Sequence, residues 1–366
     1  MRSLFKVRRI GSKGAVGVAV AIVLVACGSN SQSGQGPLHL PSHGSTNSST
    51  GWKDFIAQTS PTGAWTTGCP SPACNDIQAQ LHAGAATRIV PPDLTPSLED
   101  EAKDTQPGAP RYQLQAPAGG NCSELPVAGL VPAFQPCVFD AGAPPTAPSI
   151  IMVGNSRALM WSRSVLALAS RLGYRFGFVQ HEGCSMVKVD DPSKSDAAVE
   201  CNNWEDAAIN WANQQNPAVV LVSSGPDLNS DWKPNGKALT PAELTTGYAA
   251  ALKLLQAPGR KVFVIGDIPA LKEDAPRCLA ANESAALKCA TAASEAVSAD
   301  ENKADLDAAQ QAGAGYVNLT PWLCTEELCP AIIGHYLAYR DQRHITSTFA
   351  EALSPVLEQA IAIGHA

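Results

Sequence analysis

Ser149-Ile150-Ile151-Met152-Val153-Gly154-Asn155-Ser156-Arg157-Ala158 decides how this chain folds. Its apolar, β-branched opening reads as a strand over Ser149–Val153, Gly154 permits a tight turn, and a helical pattern over Arg157–Leu172 follows. Further short apolar runs predict strands at Arg175–Val179, Ala218–Ser223, Lys261–Gly266 and Gly315–Leu319. Helical stretches are predicted at Asn203–Gln215, Pro241–Gln256, Ala290–Ala312 and Thr346–Ala362. Strands alternating with helices imply an α/β domain over 147–366, with a parallel sheet covered by helices on both faces. No internal repeat is evident.

In such a sheet, ligands sit beyond the carboxyl ends of the strands, which is where Ser156 falls. Its hydroxyl can project from the turn, while the following helix offers free N–H groups to a developing oxyanion. A second motif, Asp341-Gln342-Arg343-His344, lies about 185 residues downstream, after the last strand and before the last helix. An Asp three residues before a His can orient the imidazole, so Ser156, His344 and Asp341 supply nucleophile, base and orienter. Each motif also has a plainer reading. A Ser after a strand is usually a helix N-cap, and Asp-x-x-His is often a surface pair. Their joint placement at one sheet edge favours the layout of a serine esterase or acyl transferase.

The N-terminus points outside the cytoplasm. A basic segment with Arg2, Lys6, Arg8 and Arg9 precedes an apolar run from Ala15 to Ala26, too short for a membrane span and right for a signal peptide over 1–26. The run closes on Leu24-Val25-Ala26-Cys27-Gly28, which resembles a bacterial lipobox and implies lipidation of Cys27. An ordinary secretory signal with a coincidental Cys is the alternative. Five of the 26 basic residues lie in the signal, so the mature chain sets 21 basic against 33 acidic residues and carries −12. That charge leaves no footprint for nucleic acid or anionic lipid.

Residues 27–51 are rich in Ser, Gly, Asn and Gln and read as a flexible tether. Residues 52–146 are rich in Pro and Gly, carry four cysteines, and read as an extension wrapping the main domain, with too few apolar runs for a core of their own. Ten cysteines besides Cys27, in an exported chain, argue for disulfides. Their closeness in pairs suggests Cys69–Cys74, Cys122–Cys137, Cys184–Cys201, Cys278–Cys289 and Cys324–Cys329. A metal site using Cys324, Cys329 and His335 is the rival reading, disfavoured because no second close Cys/His pair accompanies it. No metal or cofactor is expected.

Val153-Gly154-Asn155-Ser156-Arg157-Ala158, with Trp161 after it, resembles the Gly-Asp-Ser-His-Ala block of SGNH (GDSL-like) hydrolases. Within that likeness, the chain more closely resembles the extracellular SGNH domain fused to bacterial membrane acyltransferases that O-acetylate surface polysaccharides. Gly183-Cys184, Cys201-x-x-Trp204, Val219-Val-Leu, Gly266-Asp267-Ile-Pro269, Cys278-Leu-Ala and Trp322-Leu-Cys324…Cys329-Pro extend the similarity. Leu94-Thr-Pro-Ser-Leu and Cys122…Cys137 resemble the extension before that domain, so the likeness runs over about residues 94–362. It implies a three-layer flavodoxin-like fold and a triad of Ser156, His344 and Asp341. Ser156 N–H is the clearest oxyanion donor, and Gly183 matches the family's Gly. For the family's Asn after the third strand there is no clean counterpart, with Asn229 and Gly225 as candidates.

Two residues beside the nucleophile depart from the family pattern. Asn155 replaces Asp, which keeps hydrogen bonding and drops a charge. Arg157 replaces His, reading either as a cation for an anionic substrate group or intermediate, or as a solvent-facing residue of the first turn. A cation there opposes the helix dipole. Trp232, in a polar loop, is the best candidate to stack on a sugar, whereas Trp161, Trp204 and Trp211 read as core, and His181 and His335 as loop residues outside the chemistry. Asp267 reads as a turn cap.

The resulting expectation is an exported, lipid-anchored enzyme on the outer face of a bacterial envelope. It would handle O-acyl esters, acetyl foremost, of a cell-wall polysaccharide or glycolipid. The multi-helix acyltransferase part is missing from this sequence, which tilts the reading towards hydrolysis unless a separate membrane acyltransferase supplies acyl groups. The alternative is a non-catalytic carbohydrate-binding or scaffold lipoprotein that retains the fold.

Overall fold

Consecutive side chains of the strand Ser149–Gly154 divide between two cores: Ile150 and Met152 pack on one face, Ile151 and Val153 on the other. All four are buried, as a central strand with both faces covered requires. The computed structural model that shows this describes residues 72–104, 136–188, 196–224 and 239–362. The signal and tether segments, Cys27, Cys69, Cys122, Gly225, Asn229 and Trp232 lie outside the described residues.

The main sheet contains β1 (Cys137–Phe139), β2 (Ser149–Gly154), β3 (Arg175–Gln180), β4 (Val219–Ser223), β5 (Lys261–Ile265) and β6 (Gly315–Val317). Their spatial order is β1-β3-β2-β4-β5-β6. β1 runs antiparallel to β3 at the edge, and every other pairing is parallel. Counting only the parallel strands, the order is 2-1-3-4-5, that of a flavodoxin-like doubly wound sheet. α1 (Pro72–Gly84), α2 (Ser156–Leu172), α6 (Ser347–Ala352) and α7 (Ser354–Ile361) contribute to the core on one face. On the other lie α3 (Asp196–Gln214), α4 (Pro241–Leu255) and α5 (Ala299–Ala312). The protein is therefore a three-layer α/β fold with a mostly parallel central sheet.

Most predicted strands and helices stand within two residues of their expected limits, with three differences. The helix predicted over Ala290–Ala312 is broken, because Thr291–Ala292 pairs antiparallel with Leu328–Cys329 and the backbone must be extended there. A short helix Ala293–Ala296 and then α5 follow. The helix predicted over Thr346–Ala362 divides at Leu353, since Pro355 lacks the N–H that a continuous helix needs. α3 starts at Asp196 rather than Asn203.

The segment before residue 147 supplies working parts of this core. Ile77 and Leu81 of α1 are buried in it, and Gln78 Nε2 donates to Pro321 O at 2.7 Å. Cys184–Cys201, Cys278–Cys289 and Cys324–Cys329 are disulfides. The last of these leaves no free thiol pair for the rival metal site. Cys74 and Cys137 are also disulfide-bonded, while the partners suggested for them, Cys69 and Cys122, lie outside the described residues.

At the carboxyl end of β2 the backbone passes so close to β4 that a Cβ on Gly154 would stand 1.9 Å from Ser223 O. That neighbour is backbone in an adjacent strand and cannot swing away. Gly154→Ala is therefore expected to cost about 3 kcal/mol or more, read as a lowered midpoint in urea denaturation. An unchanged midpoint would mean that the two strands can part without loss.

Candidate active site

Ser156 is the first residue of α2, directly after the N-cap Asn155, whose side-chain oxygen accepts the Arg157 N–H at 3.0 Å. Capping fixes the start of the helix and so the direction in which the Ser156 hydroxyl leaves it. It also corrects the plainer reading of the serine: the N-cap is Asn155, which frees Ser156 Oγ from that duty. His344 sits in the loop before α6. Its Nδ1–H donates to Asp341 Oδ2 at 2.8 Å, which leaves Nε2 to accept the Ser156 hydroxyl at 3.0 Å. The structure thus brings Ser156, His344 and Asp341, dispersed in sequence, into one unbroken relay.

Asp341 performs two tasks at once. Oδ1 accepts the backbone N–H groups of Arg343 (2.6 Å) and His344 (2.8 Å), while Oδ2 holds the imidazole. Burial alone would raise its carboxyl. The hydrogen bond and charge of His344, with the two backbone donors, outweigh burial and hold it below the usual carboxylate range. Asp341 is therefore ionised wherever His344 can act as a base. Chemically, such a relay can raise the nucleophilicity of Ser156 and store its proton on an imidazolium that faces a fixed negative charge.

Arg157 is not solvent-facing. Its side chain is 8 % exposed, Nη2 pairs with Asp267 Oδ2 at 3.1 Å, and Nη1 donates to the carbonyl of Arg343. The reading of Arg157 as a solvent-facing residue of the first turn is thereby corrected: its guanidinium is engaged inside the protein. Asp267, at the end of β5, still caps its turn through the Ile268 N–H (2.8 Å). The second contact, to Arg157, escaped the sequence reading. The signal available was the cation in the first turn of a helix, which opposes the dipole and calls for a carboxylate partner. Asp305 lies nearby, and burial, with Asp267 and Glu301 adding to it, pushes its carboxyl well above the ordinary range against the pull of Arg157. Asp267 is the carboxylate in contact with the guanidinium.

Gly183 follows β3 in a left-handed conformation, φ +79°, with no atom within 4 Å of a would-be Cβ. The same loop is tied to the nucleophile turn by His181 N–H donating to Gly154 O at 3.1 Å. The disulfide from Cys184 anchors it to α3. His181 is buried between Glu200 (3.2 Å) and the Glu182 carbonyl (2.8 Å), so its role is structural, and His335 packs against Tyr336. Trp161 and Trp204 are fully buried, and Trp211 packs against the second core. A cleft of about 690 Å³ has Asp341 and His344 in its wall, together with Glu273, Asp274, Arg277, Asn282, Gln342 and Arg343. Among the described residues no group of three or more His, Cys, Asp or Glu is placed to hold a metal, and no helix is long and apolar enough to cross a membrane.

A family model described as "SGNH domain (fused to AT3 domains)" matches residues 121–359. No curated protein matches the sequence. Among solved structures, the periplasmic domain of a lipopolysaccharide acetyltransferase from Salmonella ser. Paratyphi A is similar at 14 % identity and a TM-score of 0.46, covering 67 % of this chain and 91 % of that one. A GDSL-like lipase from Bacteroides thetaiotaomicron is similar at 16 % identity and a TM-score of 0.37, covering 58 % of this chain and 87 % of its own.

Proposed function

Because the chain belongs to the SGNH family, in the branch described as fused to AT3 domains, we propose that it is a serine esterase or O-acyltransferase working through an acyl-enzyme on Ser156. The observation that carries this reading is the relay from Ser156 Oγ through His344 to Asp341, at 3.0 and 2.8 Å. Ser156 Oγ attacks the ester carbonyl as its proton passes to His344 Nε2. The oxyanion that forms faces the free N–H of Ser156 at the start of α2, with Gly183 N–H as the second donor. His344 then returns the proton to the leaving alcohol, and the acyl group stays on Ser156. In the second half, His344 takes a proton from water or from an acceptor hydroxyl, which attacks the acyl-enzyme and frees the serine.

The substrate class is O-acyl, foremost O-acetyl, esters of cell-surface glycans or glycolipids. Glu273, Asp274, Asn282 and Gln342 give the cleft beside His344 the acceptors and donors that sugar hydroxyls require. Export is supported by the disulfides, which persist in oxidising compartments, and by the signal-like N-terminus with Cys27 as the proposed lipid anchor. Hydrolysis is the favoured outcome, since the His344 side chain is 22 % exposed and water can reach the base. A separate membrane acyltransferase presenting acyl groups would turn the same chemistry to transfer.

The test is labelling of the protein lacking residues 1–27 with a fluorophosphonate, followed by mass-spectrometric mapping of the tagged peptide. The expected result is a single tag on Ser156, lost in His344→Ala, and release of acetate from acetylated glycans by the wild type. Folded wild type that takes no label would remove the esterase reading and leave a carbohydrate-binding protein.

A further inference from the structure

The geometry points to Arg157 as a positioning residue: its buried guanidinium, held by Asp267, clamps the Arg343 carbonyl and so fixes the loop that presents His344 to Ser156. This rests on the proposed relay being the catalytic group. Three elements meet at one side chain: α2, which carries Ser156; the end of β5, which carries Asp267; and the loop 341–344, which carries the base. Asp341 organises that loop from within, through the N–H groups of Arg343 and His344. Arg340 N–H closes its neck on the His344 carbonyl at 2.9 Å. Leu271 N–H donates to the Gln342 carbonyl at 2.8 Å and Gln342 Nε2 to the Lys272 carbonyl at 3.0 Å, which tie the loop to the segment after β5, but none of these bonds refers its position to the helix that carries Ser156. Arg157, one residue from Ser156, grips the residue that immediately precedes His344 and supplies that reference.

The chemistry of the side chain suits the task. A guanidinium is planar and presents a fixed fork, so one nitrogen can take a carboxylate while the other takes a carbonyl at a set angle. An ammonium in the same place is a point charge that cannot fix two partners in one plane. Stability alone does not account for the arrangement, because a cation at a helix N-terminus opposes the dipole and a buried guanidinium must recover its lost hydration. The arrangement gives a defined separation of Ser156 from His344, to which proton transfer is sharply sensitive. A misplacement of about 1 Å costs about 100-fold in rate.

The experiment compares wild type, Arg157→Lys, Arg157→Met and Asp267→Asn at a temperature where near-UV circular dichroism shows each to be folded. Three readouts are taken: the rate constant for fluorophosphonate labelling of Ser156, the kcat and KM for a simple activated acetate ester, and the downfield NMR signal of the His344 Nδ1 proton, identified by its loss in His344→Ala. Arg157→Lys is expected to lower labelling and kcat by about 10- to 100-fold with KM unchanged, and to broaden the imidazole proton through faster exchange. If Arg157→Met does not fold, Arg157→Lys, which keeps the charge and most of the volume, carries the comparison. Folded Arg157→Lys and Asp267→Asn that match the wild type in all three readouts would overturn the clamp. So would a loss of rate with the imidazole signal unchanged, which would place Arg157 on the oxyanion instead. Wild type that takes no label strikes at the proposed function, and the NMR comparison still reports separately on the loop.

Discussion

Ser156→Ala and His344→Ala are each expected to lower ester turnover by about 10⁴- to 10⁶-fold, with the double variant no worse than either single one. The equality follows from the geometry. Ser156 Oγ and His344 Nε2 stand 3.0 Å apart and on the proposed mechanism act as one unit, so either loss would remove the same step. Additive losses would instead mean that the two groups serve separate functions. The fold should tolerate both changes. Ser156 is only half-buried, and the cap of α2 belongs to Asn155, so neither replacement removes a group on which the helix depends. Turnover of an activated acetate ester, with thermal midpoints taken on the same samples, checks the prediction. A variant with full turnover would exclude Ser156 or His344 from the chemistry.

The second large effect is expected from Asp341→Asn, at about 10⁴-fold in kcat with little change in KM. The amide oxygen can take over the contacts to the Arg343 and His344 N–H groups, so the loop keeps its shape. That places the amide NH₂ against His344 Nδ1, which can then only accept, and the proton moves to Nε2, the nitrogen that must receive the Ser156 proton. The base is present but carries its hydrogen on the wrong side. Asp341→Ala removes the backbone contacts as well and should also lower stability.

The pH signature of the same group has a definite sign. The folded carboxyl of Asp341 lies below its unfolded value of about 3.9. Its contribution to stability is therefore fully present above that pH, and it is lost as pH falls through the folded value. The wild type should exceed Asp341→Ala in stability at neutral pH, and the two should converge at the acid end. Denaturation midpoints measured across pH would show it, and a gap that stayed constant would contradict the assignment.

The parallel sheet was legible because its strands are short, β-branched and buried on both faces, which leaves a signal that partner residues cannot alter. The relay was legible for a related reason. Asp341 and His344 are neighbours in sequence, and the strand–turn–helix around Ser156 fixes its place at the sheet edge. What failed to show were features made by long-range pairing. Nothing local marks Thr291–Ala292 as a strand, since its partner Leu328–Cys329 comes from another part of the chain and overrides helical propensity. α1 was hidden among prolines and glycines, and becomes a helix by placing Ile77 and Leu81 in a core built from later residues. The contact between Arg157 and Asp267 joins residues that meet only once the strand order is set. Their sequence supplied the cation and the carboxylate without linking them.

The short antiparallel strand β1 has a consequence for how the molecule keeps to itself. An open parallel sheet ends in a row of unsatisfied backbone donors and acceptors that invites a neighbouring molecule to add a strand. Here β1 lies along β3, with Cys137, Val138 and Phe139 opposite Phe178, Gly177 and Phe176, and occupies that row. A chain begun at residue 147, where the sequence first looks like a domain, would contain the whole relay and yet expose this row to solvent. With β1 in place, the edge left on that side of the sheet is a strand of only three residues, a short template for another chain to pair with.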